Sequence, residues 1–212
     1  MTQITAQMVK DLREQTGAGP LDCKKALEQN GGDMQKAIDF LREKGMAKAV
    51  KKLNAGRTMN EGLIETYLHF NKRLGVMVEV NCETDFVANT EQFKNFVRQL
   101  TLHIANLNPQ VIRRSEVDPA LIEHERKIQL GILKEDPKNA NKPDAILEKI
   151  IEGRMDKFYQ DIVLLEQPFL MDDSKTIEQL LKETVAEVGE SIEIRRFARF
   201  QLGDAAAGDD AE

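Results

Sequence analysis

The spacing of apolar residues changes twice along this chain, and those two changes limit the fold more than any single motif. Leu63 to Phe70 and Leu74 to Cys82 read as strand-like runs of period two, and Asn71-Lys72-Arg73 between them marks a hairpin. On both sides the period is that of a helix. Ahead of the hairpin, Ile4, Met8, Val9 and Leu12 share one face of a first helix that ends before Gly17-Ala18-Gly19-Pro20. A second helix runs from Leu21 to Gln29 with Pro20 at its first turn, and Asn30-Gly31-Gly32 stops it. Asp33 then caps a third, whose stripe is Met34, Ala37, Ile38 and Leu41. Lys48 to Met59, with Gly56 inside, reads as a connector.

Beyond the hairpin, Thr90 is the expected N-cap of a helix carrying Phe93, Phe96, Val97, Leu100, Ile104 and Leu107. Asp118-Pro119 opens another that reaches Leu133, and Asp144 opens a third with Leu147, Ile150, Ile151, Met155 and Phe158; Asp136 to Lys142 between them is a polar loop. Ile162 to Leu165 and Ile192 to Leu202 are expected strands, flanking a helix that opens with the capping-box pair Thr176 and Gln179. Strands interrupted by helices, with a local hairpin, favour an α+β fold. The expected division is a helical docking bundle over 1–52, an α+β core over 53–203 and a disordered acidic tail over 204–212. On the first strand, Ile64, Leu68 and Phe70 are assigned to the core side; Glu65, Tyr67 and His69 are assigned to the exposed side.

Composition narrows the function. With 41% hydrophobic and 31% charged residues and no long apolar run, no membrane association is expected. Met1 to Gln15 lacks the basic start and apolar run of a secretory leader, so a cytoplasmic location is expected, in a bacterial cytosol or an organelle matrix. The net charge is −6, and Asp204, Asp209, Asp210 and Glu212 supply much of it, so the body is near balance and no direct nucleic-acid contact is expected. Lys44, Lys48, Lys51 and Lys52 form one basic stretch, read as a solvated helix. Cys23 and Cys82 have no metal-ligand spacing and read as small buried hydrophobes; no cofactor or metal is expected. No phosphate-binding, zinc-hydrolase or serine-nucleophile pattern occurs, and His69, His103 and His124 have no partners at catalytic spacing, so no enzyme activity is expected.

One segment does not fit a plain core reading: Asn81-Cys82-Glu83-Thr84-Asp85-Phe86-Val87-Ala88, where a strand ends on an acid, a phenylalanine and a valine. In one reading Phe86 and Val87 fold back onto the core and Asp85 caps a turn. In the other the loop presents Phe86 outward as an anchor for a partner's groove. Spacing alone leaves both open.

This segment, taken as Glu79 to Ala88, and Leu12-Arg13-Glu14-Gln15-Thr16-Gly17-Ala18-Gly19 followed by Asp22-Cys23-Lys24-Lys25-Ala26-Leu27, closely resemble the translation elongation factor Ts family. Gly153-Arg154-Met155, Lys157-Phe158 and Leu165-Glu166-Gln167-Pro168-Phe169 resemble its later half, so the likeness spans residues 2 to about 203. The resemblance implies a ubiquitin-associated-like helical bundle, an α+β core, and guanine-nucleotide exchange on elongation factor Tu. It implies that Thr84, Asp85, Phe86 and Val87 intrude beside the partner's nucleotide and dislodge its Mg²⁺, while Leu12, Asp22, Cys23, Lys24 and Lys25 serve docking. The chain resembles short members with one hairpin, so two copies are expected to rebuild a full core as a homodimer. Tyr67-Leu68-His69 resembles the second-half hairpin of long members, which makes His69 a further candidate contact. Two rivals stay beside this reading. One is a ubiquitin-like or nascent-chain binding module with a dimerisation scaffold; the other is an RNA-binding accessory using Lys44 to Lys52.

Overall fold

The computed structural model describes residues 4–53, 59–136 and 142–204, and its backbone is mixed helix and sheet. It opens with three helices, α1 (Ala6–Thr16), α2 (Pro20–Gln29) and α3 (Met34–Leu53). Each boundary has a local cause. The Thr5 hydroxyl accepts the Met8 N–H, Gly17 closes α1 by donating to the Arg13 carbonyl at 2.8 Å, and the Asp33 carboxylate accepts the Lys36 N–H at 3.0 Å. Leu12, Cys23, Ala26, Leu27, Ala37 and Leu41 form the bundle's buried centre, and Ile4, Met8, Val9 and Ile38 pack around it. The expected connector is corrected at its start: Lys48 to Leu53 are the last turns of α3, because nothing in that stretch breaks a helix before Gly56. Residues 54–58 lie outside the described residues.

A hairpin follows, β1 (Glu61–Leu68) and β2 (Leu74–Cys82), closed by the His69 N–H donating to the Leu74 carbonyl and the Lys72 N–H to that of His69. With β5 (Ile192–Gln201) they make a three-stranded sheet in which β2 is central. Gly62 is obligatory in β1. Its φ is +147°, and a Cβ there would lie 2.2 Å from the Val80 carbonyl oxygen. After β2 come a single turn α4 (Asp85–Ala88), α5 (Glu91–Leu107), α6 (Pro119–Glu135) and α7 (Asp144–Ile162), then a short hairpin β3 (Pro168–Phe169) and β4 (Asp172–Thr176), α8 (Ile177–Val188) and β5. Thr90 caps α5 through the Phe93 N–H, Asp118 caps α6 through the Ala120 N–H, and Thr176 with Gln179 closes the capping box of α8.

Two expectations are overturned. The faces of β1 are the reverse of those assigned: Ile64 and Leu68 are 63% exposed and Phe70 88%, whereas Leu63, Glu65, Tyr67 and His69 are half-buried. Both faces of this strand carry large apolar residues, so a count of hydrophobes selects the wrong one. Ile162 to Leu165 is not a strand. Ile162 ends α7, Val163 makes one isolated bridge with Val111, and Leu164–Glu166 is a 3-10 turn. The pairing of β3 with β4 was not expected, because Asp172-Asp173-Ser174-Lys175 carries no apolar alternation. The polar loop, at 137–141, and the acidic tail, from 205 onward, lie outside the described residues.

The chain divides into two compact units, 1–64 with 79–97 and 181–195, and 65–78 with 98–180 and 196–212. In the first, α3 and α8 approach closely enough that a Cβ on Gly45 would stand 3.3 Å from that of Ala186. In the second, α6 and α7 share an apolar seam of Leu133, Ile151 and Met155, and the Arg114 guanidinium grips Glu166 at 2.6 and 2.7 Å and Asp156 at 3.0 Å while stacking over Tyr159. The buried His103 accepts the Leu170 N–H at Nδ1, so its Nε2 carries the proton and donates to the Gln167 Oε1 at 2.9 Å. Among the described residues no helix is long and apolar enough to cross a membrane.

Candidate functional site

Strand β2 delivers the chain to the odd segment with Cys82 still fully buried, and burial pushes the Cys82 thiol up to about 11. Its Sγ donates to the Thr84 carbonyl at 3.1 Å. At Thr84 the backbone is extended, and its hydroxyl accepts the Val87 N–H, which starts the single turn of α4. Thr90 closes that turn: its N–H and its hydroxyl both donate to the Val87 carbonyl. Asn89 adds a side-chain bond to the Asp85 carbonyl at 3.0 Å.

A turn so short gives adjacent residues opposite environments. Val87 and Ala88 are 7% and 5% exposed and anchor the segment, whereas Asp85 points to solvent and Phe86 is 82% exposed. The two readings of the sequence therefore divide between neighbours: Val87 folds onto the core, and Phe86 faces outward with a carboxylate beside it.

The turn is also held from outside. The Glu190 carboxylate accepts the Thr84 N–H at 3.1 Å and the Thr84 hydroxyl at 2.9 Å, and the Glu83 carboxylate accepts the Ser191 N–H at 2.9 Å. Segments more than a hundred positions apart thus exchange carboxylate contacts. The Ser191 hydroxyl, fully buried, donates to the Lys52 carbonyl at 3.1 Å, and the Lys52 ammonium donates to the Gly189 carbonyl. Helix α3, the Gly189–Ser191 segment and the Phe86 turn form one hydrogen-bonded series.

In the bundle, the residues named for docking separate into two kinds. Leu12 and Cys23 are fully buried and hold the bundle together; Lys24 and Lys25 are exposed on α2, and Asp22 is half-buried. Asp22 is bonded to the Lys44 ammonium at 2.8 Å and lies 3.7 Å from that of Lys48, and the Lys44 bond holds its carboxyl below the usual range. Three of the four lysines of the basic stretch have partners within the chain, Lys44 and Lys48 at Asp22 and Lys52 at Gly189, while Lys48 and Lys51 remain exposed. Sequence reasoning missed Leu21, 76% exposed at the first turn of α2, although it stands off the Cys23, Ala26 and Leu27 face. It also missed Glu190, for which no local pattern exists.

His69 is half-buried, 2.6 Å from the Tyr67 hydroxyl, and its ring packs at a tilt of 48° against Phe70 with ring centres 4.4 Å apart. Around the same hairpin Leu68, Phe70 and Met77 are exposed, as are Phe200 and Leu202 at the end of β5, where the Leu202 N–H donates to the Arg73 carbonyl. Among the described residues no group of three His, Cys, Asp or Glu side chains gathers as a metal site.

These features define a class: a helical bundle joined to a helix-and-sheet body, with an apolar side chain raised on a braced turn. Residues 3–204 match the family model described as Elongation factor TS. Proteins named Elongation factor Ts are similar over nearly the whole chain. That of Thermoanaerobacter sp. (strain X514) is 55% identical over 201 residues, covering 95% of this chain and 96% of the relative. That of Desulforamulus reducens is 50% identical over 204 residues, 96% and 91%, and that of Geotalea uraniireducens 53% over 204, 96% and 92%. The chain belongs to the elongation factor Ts family, and so to the translation elongation factors.

Proposed function

We propose that this chain is a guanine-nucleotide exchange factor that binds elongation factor Tu in the cytoplasm, or in an organelle matrix, and speeds release of its GDP without chemistry of its own. The observation that carries this is Phe86, 82% exposed on a turn whose next two residues are buried. A large side chain kept in water on a fixed backbone is suited to a partner's groove. An exchange factor must bind the nucleotide-free partner more tightly than the GDP-bound one; linkage then weakens GDP by the same factor. Burial of Phe86 supplies part of that difference. The partner's Mg²⁺ is the natural source of the rest, because it neutralises phosphate charge, and Asp85 arrives beside Phe86 as the group able to disturb it. Asp22, Lys24 and Lys25 with Leu21 form the docking surface on α2; Leu12 and Cys23 act through the bundle's core, and His69 through the hairpin.

The proposal includes a second copy of the chain, seated on the apolar side chains Leu68, Phe70, Met77, Phe200 and Leu202. Residues of this size exposed together mark an association surface.

The test is stopped-flow release of fluorescent GDP from elongation factor Tu at fixed Mg²⁺, with this protein and with Phe86→Ala. Acceleration that largely disappears in the variant is expected. No acceleration by the wild type would overturn the reading.

A further inference from the structure

The exchange reading needs Phe86 to arrive at one place in the partner, yet the turn bearing it has only four helical residues and leaves Phe86 itself 82% exposed. A single helical turn is marginal in water and must be stabilised by its surroundings. Here those surroundings are two buried apolar residues, local bonds from Cys82, Asn89 and Thr90, and one carboxylate from a distant segment. Val87 and Ala88 hold one end through burial. The other end is held at Thr84 by the Glu190 carboxylate, which takes both the Thr84 N–H and its hydroxyl proton. That hydroxyl has one proton to give. Because it is given to Glu190, the oxygen's lone pairs are aimed at the Val87 N–H, the bond that starts the turn.

Glu190 is itself fixed by its neighbours. Gly189, in the left-handed region at φ +78°, accepts the Lys52 ammonium at its carbonyl. Ser191 bonds to the Lys52 carbonyl through its hydroxyl and to the Glu83 carboxylate through its N–H. The carboxylate that fixes the Phe86 turn is thus seated on the C-terminal end of α3, a helix whose other end forms the bundle.

We propose that Glu190 is the positioning residue for exchange: by holding Thr84, it fixes the Phe86 turn relative to the bundle helix α3, so that docking and insertion occur as one event. This rests on the exchange reading above. Without Glu190 the bundle still docks, but Phe86 samples several orientations and disturbs the partner's site only part of the time. The limiting rate of GDP release falls in proportion to that fraction, while the concentration giving half of it, set by docking, changes little.

The experiment measures GDP release from elongation factor Tu against concentration for wild type, Glu190→Ala, Glu190→Gln, Phe86→Ala and the double variant Phe86→Ala with Glu190→Ala. Circular dichroism and urea unfolding accompany each. Glu190→Ala is expected to lower the limiting rate about tenfold, the order of one charge-assisted hydrogen bond, with half-saturation within about twofold. Glu190→Gln, which keeps an acceptor oxygen, is expected to recover much of it. In the Phe86→Ala background, Glu190→Ala is expected to add almost nothing, because there is no wedge left to position. Losses that multiply in the double variant, or a rise in half-saturation with an unchanged limiting rate, would overturn the proposal. If Glu190→Ala loses its fold, Thr84→Val and Glu190→Gln repeat the cycle from the two sides of the same bond. Absence of acceleration by the wild type would instead bring down the exchange reading, and this proposal with it.

Discussion

Replacing Phe86 and Val87 by alanine, one at a time, separates what the turn does for the fold from what it does for a partner. Less than a fifth of the Phe86 side chain is covered, so of the ~1.5–3 kcal/mol that full burial of such a side chain is worth, only about 0.3–0.5 kcal/mol is lost on truncation. Val87 is 7% exposed, and removing its two methyl groups forfeits about 1.5 kcal/mol of transfer free energy plus a cavity term, for a total of about 1.5–3 kcal/mol. Urea unfolding of both variants at unchanged slope reads these numbers directly. Exchange is expected to reverse the order. The uncovered part of Phe86 can contribute about 1–2.5 kcal/mol when a partner covers it, which is about five- to seventyfold in GDP release. Val87→Ala, measured where it is still folded, is expected to lose less activity than Phe86→Ala. A Phe86→Ala variant destabilised by more than about 1 kcal/mol would mean that Phe86 is a core residue in solution, and the wedge argument would fail.

Two other outcomes follow from the same structure. Burial holds the His103 pKa below its ordinary value, so the unfolded chain takes up that proton more readily. The stability contributed by neutral His103 is full above about pH 6.5 and is lost as pH falls toward the lowered folded value. Urea midpoints should decline across that window while the His103 ring, followed by NMR, stays neutral; a ring that titrates at or above the free value would refute this. Phe70 and Met77 are exposed on the single chain, so Phe70→Lys with Met77→Lys should stay folded, its urea midpoint falling below that of the wild type only by the stabilisation that dimerisation gives at the protein concentration used. The wild type is expected to sediment as a dimer at micromolar concentration and the double variant as a monomer; a monomeric wild type would remove the second copy from the proposal.

The hydrophobic period and the capping residues by themselves determined most of the element list. Thr5, Asp33, Thr90, Asp118 and Thr176 start helices because a side-chain oxygen three residues or fewer away satisfies an otherwise free N–H, and such chemistry is local. The motifs around Leu12 and Phe86 likewise carry the family. Faces were another matter. Strand β1 has Leu63 and Tyr67 on one side and Ile64 and Leu68 on the other; alternation defines two faces, but what lies against each is decided by distant parts of the chain. The same holds for Phe86 and Val87, one turned out and one in, and for β3–β4, whose pairing has no apolar pattern behind it. Glu190 makes the point most simply. A carboxylate between a glycine and a serine has no signature, and only the tertiary structure brings it to Thr84, 106 positions away, because hydrogen bonds depend on distance in space and not along the chain.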